Sequence, residues 1–189
     1  MSGAGGQSAP TRPLGLVLLL SATAGATDAI GFLSLGGLFT AHITGNIVVL
    51  ASHAVTHGTA GLAELLSVPV FMLVLAAARL LGLALAGRAD GTALDALLLI
   101  QVVLLLGFFL LGLGLGSPLD PEAPLAVLAG MCGVAAMAVQ NALVQAELPG
   151  APTTAVLTTA VTRFTIAAVE AIAGPPAQRG AARGKVAVV

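Results

Sequence analysis

Asp28 is the residue with the most chemistry to account for, because its carboxyl group lies inside an apolar run from Leu14 to about residue 36. An ionisable side chain in hydrocarbon costs about 2.5–3.5 kcal/mol on insertion scales, so one that persists wants a partner or a water-filled cavity. In that setting Asp28, with Thr27 beside it, suits an ion or proton site, or an anchor for a cationic or hydroxylated solute. The competing reading is a structural carboxylate, protonated or paired with Arg79, that locks two spans in register. A second cluster, Thr40, His42, Thr44, Gly45 and Asn46, gathers hydroxyl, imidazole, carboxamide and flexible backbone at the mouth of the next apolar run. Backbone leaves helical geometry at membrane depth only where it faces protein or water, and transporters use such broken helices to coordinate solutes and ions. An N-cap from Thr44 or Asn46 explains any one of these residues. It does not explain why so many collect there.

A comparable polar pattern recurs later in the chain. Thr27-Asp28-Ala29, Gly36-Gly37 and Ile43-Thr44-Gly45-Asn46-Ile47 have counterparts in Gln140-Asn141-Ala142, Pro149-Gly150 and Leu157-Thr158-Thr159-Ala160-Val161. The separation from Asp28 to Thr44 is 16 positions and from Asn141 to Thr158 it is 17. Counting about six spans, the two units lie an even number of crossings apart, which makes them a parallel repeat about an axis along the membrane normal. Thr27, Asp28, His42, Thr44, Gly45 and Asn46 would then face Gln140, Asn141, Thr158 and Thr159 across a solute path.

The remaining reactive residues carry weaker patterns. His53 and His57 share a helical face, but no acidic residue stands between them as in HExxH, so a solvated pair is expected and no metal site. Arg79 lies close enough to the end of its span to snorkel. Arg163 and Glu170, seven residues apart on one face, read as partners or interfacial anchors. Cys132 stands alone and reads as a small buried hydrophobe. No nucleophile has an assigned base and no phosphate or dinucleotide fingerprint has its required context, so neither an enzyme nor a cofactor is expected.

The elements that must carry these residues follow from composition. Of 189 residues 58% are hydrophobic and 8% charged, against about 25% charged in an ordinary soluble domain. Fifteen charged side chains cannot coat a soluble core of this size, so lipid is the solvent for most of the surface. The net charge of −1, with scattered basic residues, excludes a nucleic-acid footprint. The expected fold is all-α, a polytopic membrane helix bundle over residues 14–173. A disordered tail over 1–13 precedes it and a basic tail over 174–189 follows. Spans are expected at about 14–36, 43–56, 66–87, 94–116, 123–146 and 154–173, since about 20 residues cross a core of about 30 Å. The second is short for a full crossing, which implies tilt or unwinding at its start. Arg12 followed by an apolar run and Ala22-Thr23-Ala24 also resembles a secretory signal, but a cut there would remove half a span. Placing both termini in the cytoplasm puts Arg12, Arg179, Arg183 and Lys185 inside and leaves Arg88 outside, as the positive-inside rule prefers.

Gly25-Ala26-Thr27-Asp28-Ala29, Phe39-Thr40-Ala41-His42-Ile43-Thr44-Gly45-Asn46, Gln140-Asn141-Ala142 and the Thr-rich segment from Thr153 resemble the YoaK family of bacterial inner-membrane proteins. The resemblance runs from about Leu14 to Ala173, with Asp and Thr-Gly-Asn as its specific part. It implies a multi-pass protein of the bacterial cytoplasmic membrane and leaves the substrate open. Thr158-Thr159 stands where the family usually repeats Thr-Gly. The family also usually continues into a further apolar helix; either that span is lost or truncated here or Gly184 to Val189 is its stub, and a neighbouring subunit of a homo-oligomer would fill an incomplete bundle. The function expected is transport or facilitated passage of a small polar solute, with lipid and solute as partners. The alternative is a non-transporting scaffold or assembly protein, in which the same polar groups only lock helices together.

Overall fold

In a low-dielectric solvent every backbone N–H and C=O must be satisfied within its own segment, so long apolar runs become helices. The computed structural model describes residues 14–86, 91–114 and 120–147, together with residues 165, 166, 168–170, 172 and 173. Five helices are bounded: α1 Leu14–Ser34, α2 Ile43–Thr56, α3 Leu62–Leu85, α4 Thr92–Leu113 and α5 Pro124–Glu147. The described residues after 164 are helical too. Residues 62–85, 92–113 and 124–145 are long and apolar enough to cross a membrane, and the protein is a membrane helix bundle.

The hub of the bundle is α5. Of its most apolar stretch 72% is buried, against 17% for the corresponding stretches of α3 and α4, so α3 and α4 show most of their surface to the surroundings. Small residues make this possible: Ala129, Ala136, Ala138 and Ala142 are fully or almost fully buried, and helices that present Gly and Ala let their neighbours approach closely. A Cβ on Gly107 of α4 would sit 3.6 Å from Cys132 Sγ of α5.

Contacts along α5 set the direction of every other helix. Gln140 donates to the Leu20 carbonyl near the start of α1, whereas Leu35, just past its end, packs by Gly130; α1 is therefore antiparallel to α5. Gln101 meets Gln140 and Leu125 lies by Gly114, so α4 is antiparallel as well. Ala63 shares a buried cluster with Ala126 and Val127, and Leu75 and Ala78 share another with Ala138 and Val139, so α3 runs parallel to α5. One end of the bundle, the upper end, thus holds the finish of α1 and α4 and the start of α3 and α5.

The second element departs from the pattern of a full span. Ile43, at the start of α2, is buried in the central cluster with Val134 and Ala138. At the other end of α2, His53 Nδ1 lies 3.3 Å from Glu64 Oε2 in the first turn of α3, at the upper end. The chain therefore enters the bundle after α1, turns at its middle and leaves through the end by which it entered.

Two sequence expectations change in consequence. Four described helices run the length of the bundle and α2 is a half-helix that re-enters, so residues 43–56 do not continue from one end to the other. With that segment removed from the count, α1 and α5 point in opposite directions, and any repeat that relates them is inverted rather than parallel. The expected tails, most of the 154–173 span, and Thr158 and Thr159 lie outside the described residues.

Candidate functional site

The site is built on the eight residues between α1 and α2. Gly36 and Gly37 have φ of 69° and 93°, a left-handed geometry that glycine adopts without steric cost, and they reverse the chain. Residues 38–41 then run back beside α1 at close range. A Cβ on Gly31 would be 2.8 Å from the Leu38 carbonyl oxygen, one on Gly130 would be 2.6 Å from Leu38 Cδ2, and one on Gly133 would be 2.9 Å from Thr40 Cγ2. Leu38 and Thr40 are fully buried. Gly133 is nine residues beyond Pro124, so Thr40 sits about 14 Å down α5 at 1.5 Å per residue.

Extended backbone at that depth brings N–H and C=O groups that no helix satisfies, and two side chains meet the need. Asp28 Oδ1 accepts from the Thr40 N–H at 2.7 Å, from Thr40 Oγ1 at 3.0 Å and from the Ala41 N–H. Its Oδ2 pairs with Nδ1 of His42. Asn46 accepts from the Phe39 N–H at 2.8 Å through Oδ1 and donates to the Phe39 carbonyl at 2.7 Å through Nδ2, the exchange that a neighbouring strand would offer. The Gly45 N–H reaches the His42 carbonyl at 2.8 Å. A Cβ on Gly45 would lie 2.6 Å from the Phe39 ring, which is why glycine stands there. Asp28 is buried, while the His42 side chain keeps 47% of its surface exposed. His42 is thus the accessible member of the cluster.

The other expected site residues separate from this one. Thr27 bonds back to the Thr23 carbonyl on its own helix, Thr44 is half-buried beside the cluster, and Asn141 donates to the Met137 carbonyl, also on its own helix. Asn141 is eight residues beyond Gly133, about 12 Å further along α5, so the described contacts do not set it opposite Asp28. Gln140 bridges instead: it donates to the Leu20 carbonyl at 3.0 Å and accepts from Gln101 Nε2 at 2.7 Å. Sequence reasoning missed Gln101, although it is the one carboxamide in an otherwise apolar run over 96–113. Its Oε1 is buried without a hydrogen-bond partner. That orientation fits its neighbour: Gln140 turns its NH2 to the Leu20 carbonyl and its oxygen to Gln101, which meets it with Nε2.

Between α1 and α4 lies a groove of about 490 Å³, walled by Thr23, Thr27, Ile30, Leu105 and Phe109 and floored by Ala129. Thr23 and Thr27 spend their hydroxyls on their own helix, so its walls are apolar. Arg79 pairs with Glu170 rather than with Asp28 and does not snorkel; Arg163, read from the sequence as a partner of Glu170 or an interfacial anchor, lies outside the described residues. At the upper end, Glu64 Oε2 accepts from the Gly61 N–H at 3.2 Å, and His53 approaches the same oxygen at ion-pair distance without hydrogen-bond alignment. Among the described residues no three His, Cys, Asp or Glu side chains are placed to hold a metal.

A family model described as "Protein of unknown function (DUF1275)" matches residues 16–189. The chain belongs to the DUF1275 family. A relative, the UPF0700 transmembrane protein YoaK of Bacillus subtilis (strain 168), is 63% identical over 35 residues, which is 18% of this chain and 16% of the relative. No solved structure matches the chain. The relative's name, a transmembrane protein, agrees with the membrane-protein reading of the bundle.

Proposed function

We propose that the protein is a multi-pass transporter or facilitator of a small polar solute in a bacterial cytoplasmic membrane, with the end that carries Leu14 facing the cytoplasm and without catalytic chemistry of its own. The observation that carries this reading is buried, non-helical backbone at mid-depth, from Leu38 to Ala41, held by Asp28 and Asn46. A bundle that needed only stability would cross with continuous helices, because each interrupted turn creates polar groups that must be met inside. Transporters accept that cost, since the start of a half-helix presents its positive end and free N–H groups to a solute at mid-membrane. His42, half-exposed at the start of α2, supplies a polar contact. Asp28 supports the reading by positioning the segment rather than by meeting the solute.

The test is uptake into proteoliposomes for a panel of small polyols, amines, amino acids and carboxylates, comparing wild type with His42→Ala and Asp28→Asn. Accumulation above empty vesicles for at least one solute, lost in His42→Ala, is expected. Equal behaviour of wild type and both variants for every solute overturns the proposal.

A scaffold or assembly role is the second reading, favoured by the fact that Asp28 and Asn46 spend hydrogen bonds on their own chain. Interhelical hydrogen bonds in membranes are worth about 0.6 kcal/mol on average, enough in number to lock a bundle. On that reading no solute accumulates above empty vesicles in wild type or variant, and His42→Ala lowers only the stability of the bundle, through the lost bond to Asp28.

A further inference from the structure

We propose that the groove between α1 and α4 seats one acyl chain of a phospholipid whose headgroup carries an ammonium, with the carboxylates of Asp120 and Glu122 at its mouth. Nothing in this seat depends on the transport reading.

The groove reaches from Ser34, at the upper end of α1, down to Thr23, and on α4 it extends from Leu113 to Leu105. Eleven residues of helix span about 16 Å, close to half of a hydrocarbon core of about 30 Å, so the groove has the depth of one leaflet. Ile30 and Phe109 on its two walls are exposed, and it opens sideways between them. Its volume, about 490 Å³, decides what fits. A helix of a second copy, about 10 Å across, displaces about 1,250 Å³ over the same length. The described residues around Glu170 sit elsewhere, because Glu170 pairs with Arg79, which follows the start of α3 by 17 residues and so lies about 25 Å below the upper end. A polar solute finds no donor on the deep walls, where Thr23 Oγ1 is bonded to the Leu19 carbonyl and Thr27 Oγ1 to the Thr23 carbonyl. Water leaves such an apolar cavity empty. A flexible hydrocarbon chain fits, and the surrounding leaflet supplies it.

Moving a chain from lipid onto an apolar wall gains nothing from the hydrophobic effect, so the seat selects by shape and by the charge at its mouth. A Cβ on Gly36 would lie 2.9 Å from Pro121 Cβ, which sets the turn that carries Asp120 and Glu122 beside Leu35 of the groove. Both acidic residues are exposed. Among the described residues the one Lys or Arg is Arg79, toward the opposite end, so no fixed cation among them answers these carboxylates. An ammonium headgroup does, whereas a phosphoglycerol headgroup brings like charge. Leu35, Phe108 and Ala129 line the groove and share a buried cluster with Leu38. A seated chain therefore packs against the outer side of the residues that hold the re-entrant segment.

Photolabelling of the full-length protein in phosphatidylglycerol nanodiscs tests the seat. The probe is a trace of phosphatidylethanolamine with a diazirine midway along one acyl chain, and adducts are located by peptide mass spectrometry. Adducts on residues 23–30 and 105–109 are expected to exceed those around Leu73, an exposed position of α3. A phosphatidylglycerol probe with the same chain gives about two- to thirtyfold fewer groove adducts, the range for two exposed charge pairs. Ala26→Phe, which places a ring in the groove from an exposed position, removes the groove adducts and leaves those at Leu73. Asp120→Asn with Glu122→Gln levels the two headgroups. Groove adducts no denser than those at Leu73, or persisting in Ala26→Phe, or equal for the two probes in wild type, overturn the proposal. A disulfide between protomers at Ala26→Cys, in a Cys132→Ala background, gives the groove to a second copy and overturns it as well.

Discussion

Replacing Asp28 by alanine strips the re-entrant segment of the acceptor that three donors share, and the cost can be worked out from those bonds. Thr40 Oγ1 can rotate toward another acceptor, but the N–H groups of Thr40 and Ala41 cannot, and Thr40 is fully buried. A buried donor left unpaired costs about 1–3 kcal/mol, so two amides put the expected destabilisation of Asp28→Ala at about 2–6 kcal/mol. Asp28→Asn keeps an oxygen where Oδ1 stands and loses only the extra strength of bonds to a charged acceptor, about 1–2 kcal/mol in total. Equilibrium unfolding in mixed micelles, or steric trapping in bicelles, measures both. The ordering wild type, Asn, Ala, with the Ala effect at least twice the Asn effect, is expected. An Ala variant within about 0.5 kcal/mol of wild type, or one equal to the Asn variant, refutes the claim that this carboxylate holds the segment by accepting from its backbone.

Three further outcomes follow from the same contacts. In a Cys132→Ala background, Ser34→Cys and Thr59→Cys react with a membrane-impermeant thiol reagent from the same side, because α2 returns to the upper end; labelling from opposite sides restores a full second span. Gly45→Ala drives a methyl into the Phe39 ring, 2.6 Å from the position of the new Cβ, and destabilises by about 1–3 kcal/mol; adding Phe39→Ala recovers part of that loss, and purely additive losses in the double-mutant cycle count against the contact. Arg79→Met leaves Glu170 without its partner in a mostly buried setting and lowers the unfolding free energy by about 3–5 kcal/mol, whereas Arg79→Met with Glu170→Leu returns close to wild type; equal losses in the single and double variants would show that the pair does not act as a unit.

Much of the bundle was legible before any coordinates. The apolar runs that became α1, α3, α4 and α5 are long enough to declare themselves, and the short run 43–56 matches α2 at both ends. The unwinding ahead of it was legible too, from Gly36-Gly37 and the crowding of polar residues between Thr40 and Asn46. Asp28, His42 and Asn46 are joined across 14 and 7 positions by partners close in the chain; a polar group in oil must find a partner, and a tight turn offers the nearest ones. Gln101 was readable in principle, as a single carboxamide in a hydrocarbon-like run, but nothing local names Gln140 as its partner 39 positions away.

What the sequence by itself determined is which segments are helical and which polar side chains have to be satisfied inside, because both depend on the solvation of each residue where it stands. Only the tertiary structure decided that α2 turns back, that α1 opposes α5, and that Arg79 meets Glu170 rather than Asp28. A half-helix that crosses and one that returns bury the same residues at the same hydropathy. The choice between them lies in where the first turn of α3 docks, beside Glu122 and the start of α5, and that contact joins positions 60 apart, beyond the reach of any local periodicity.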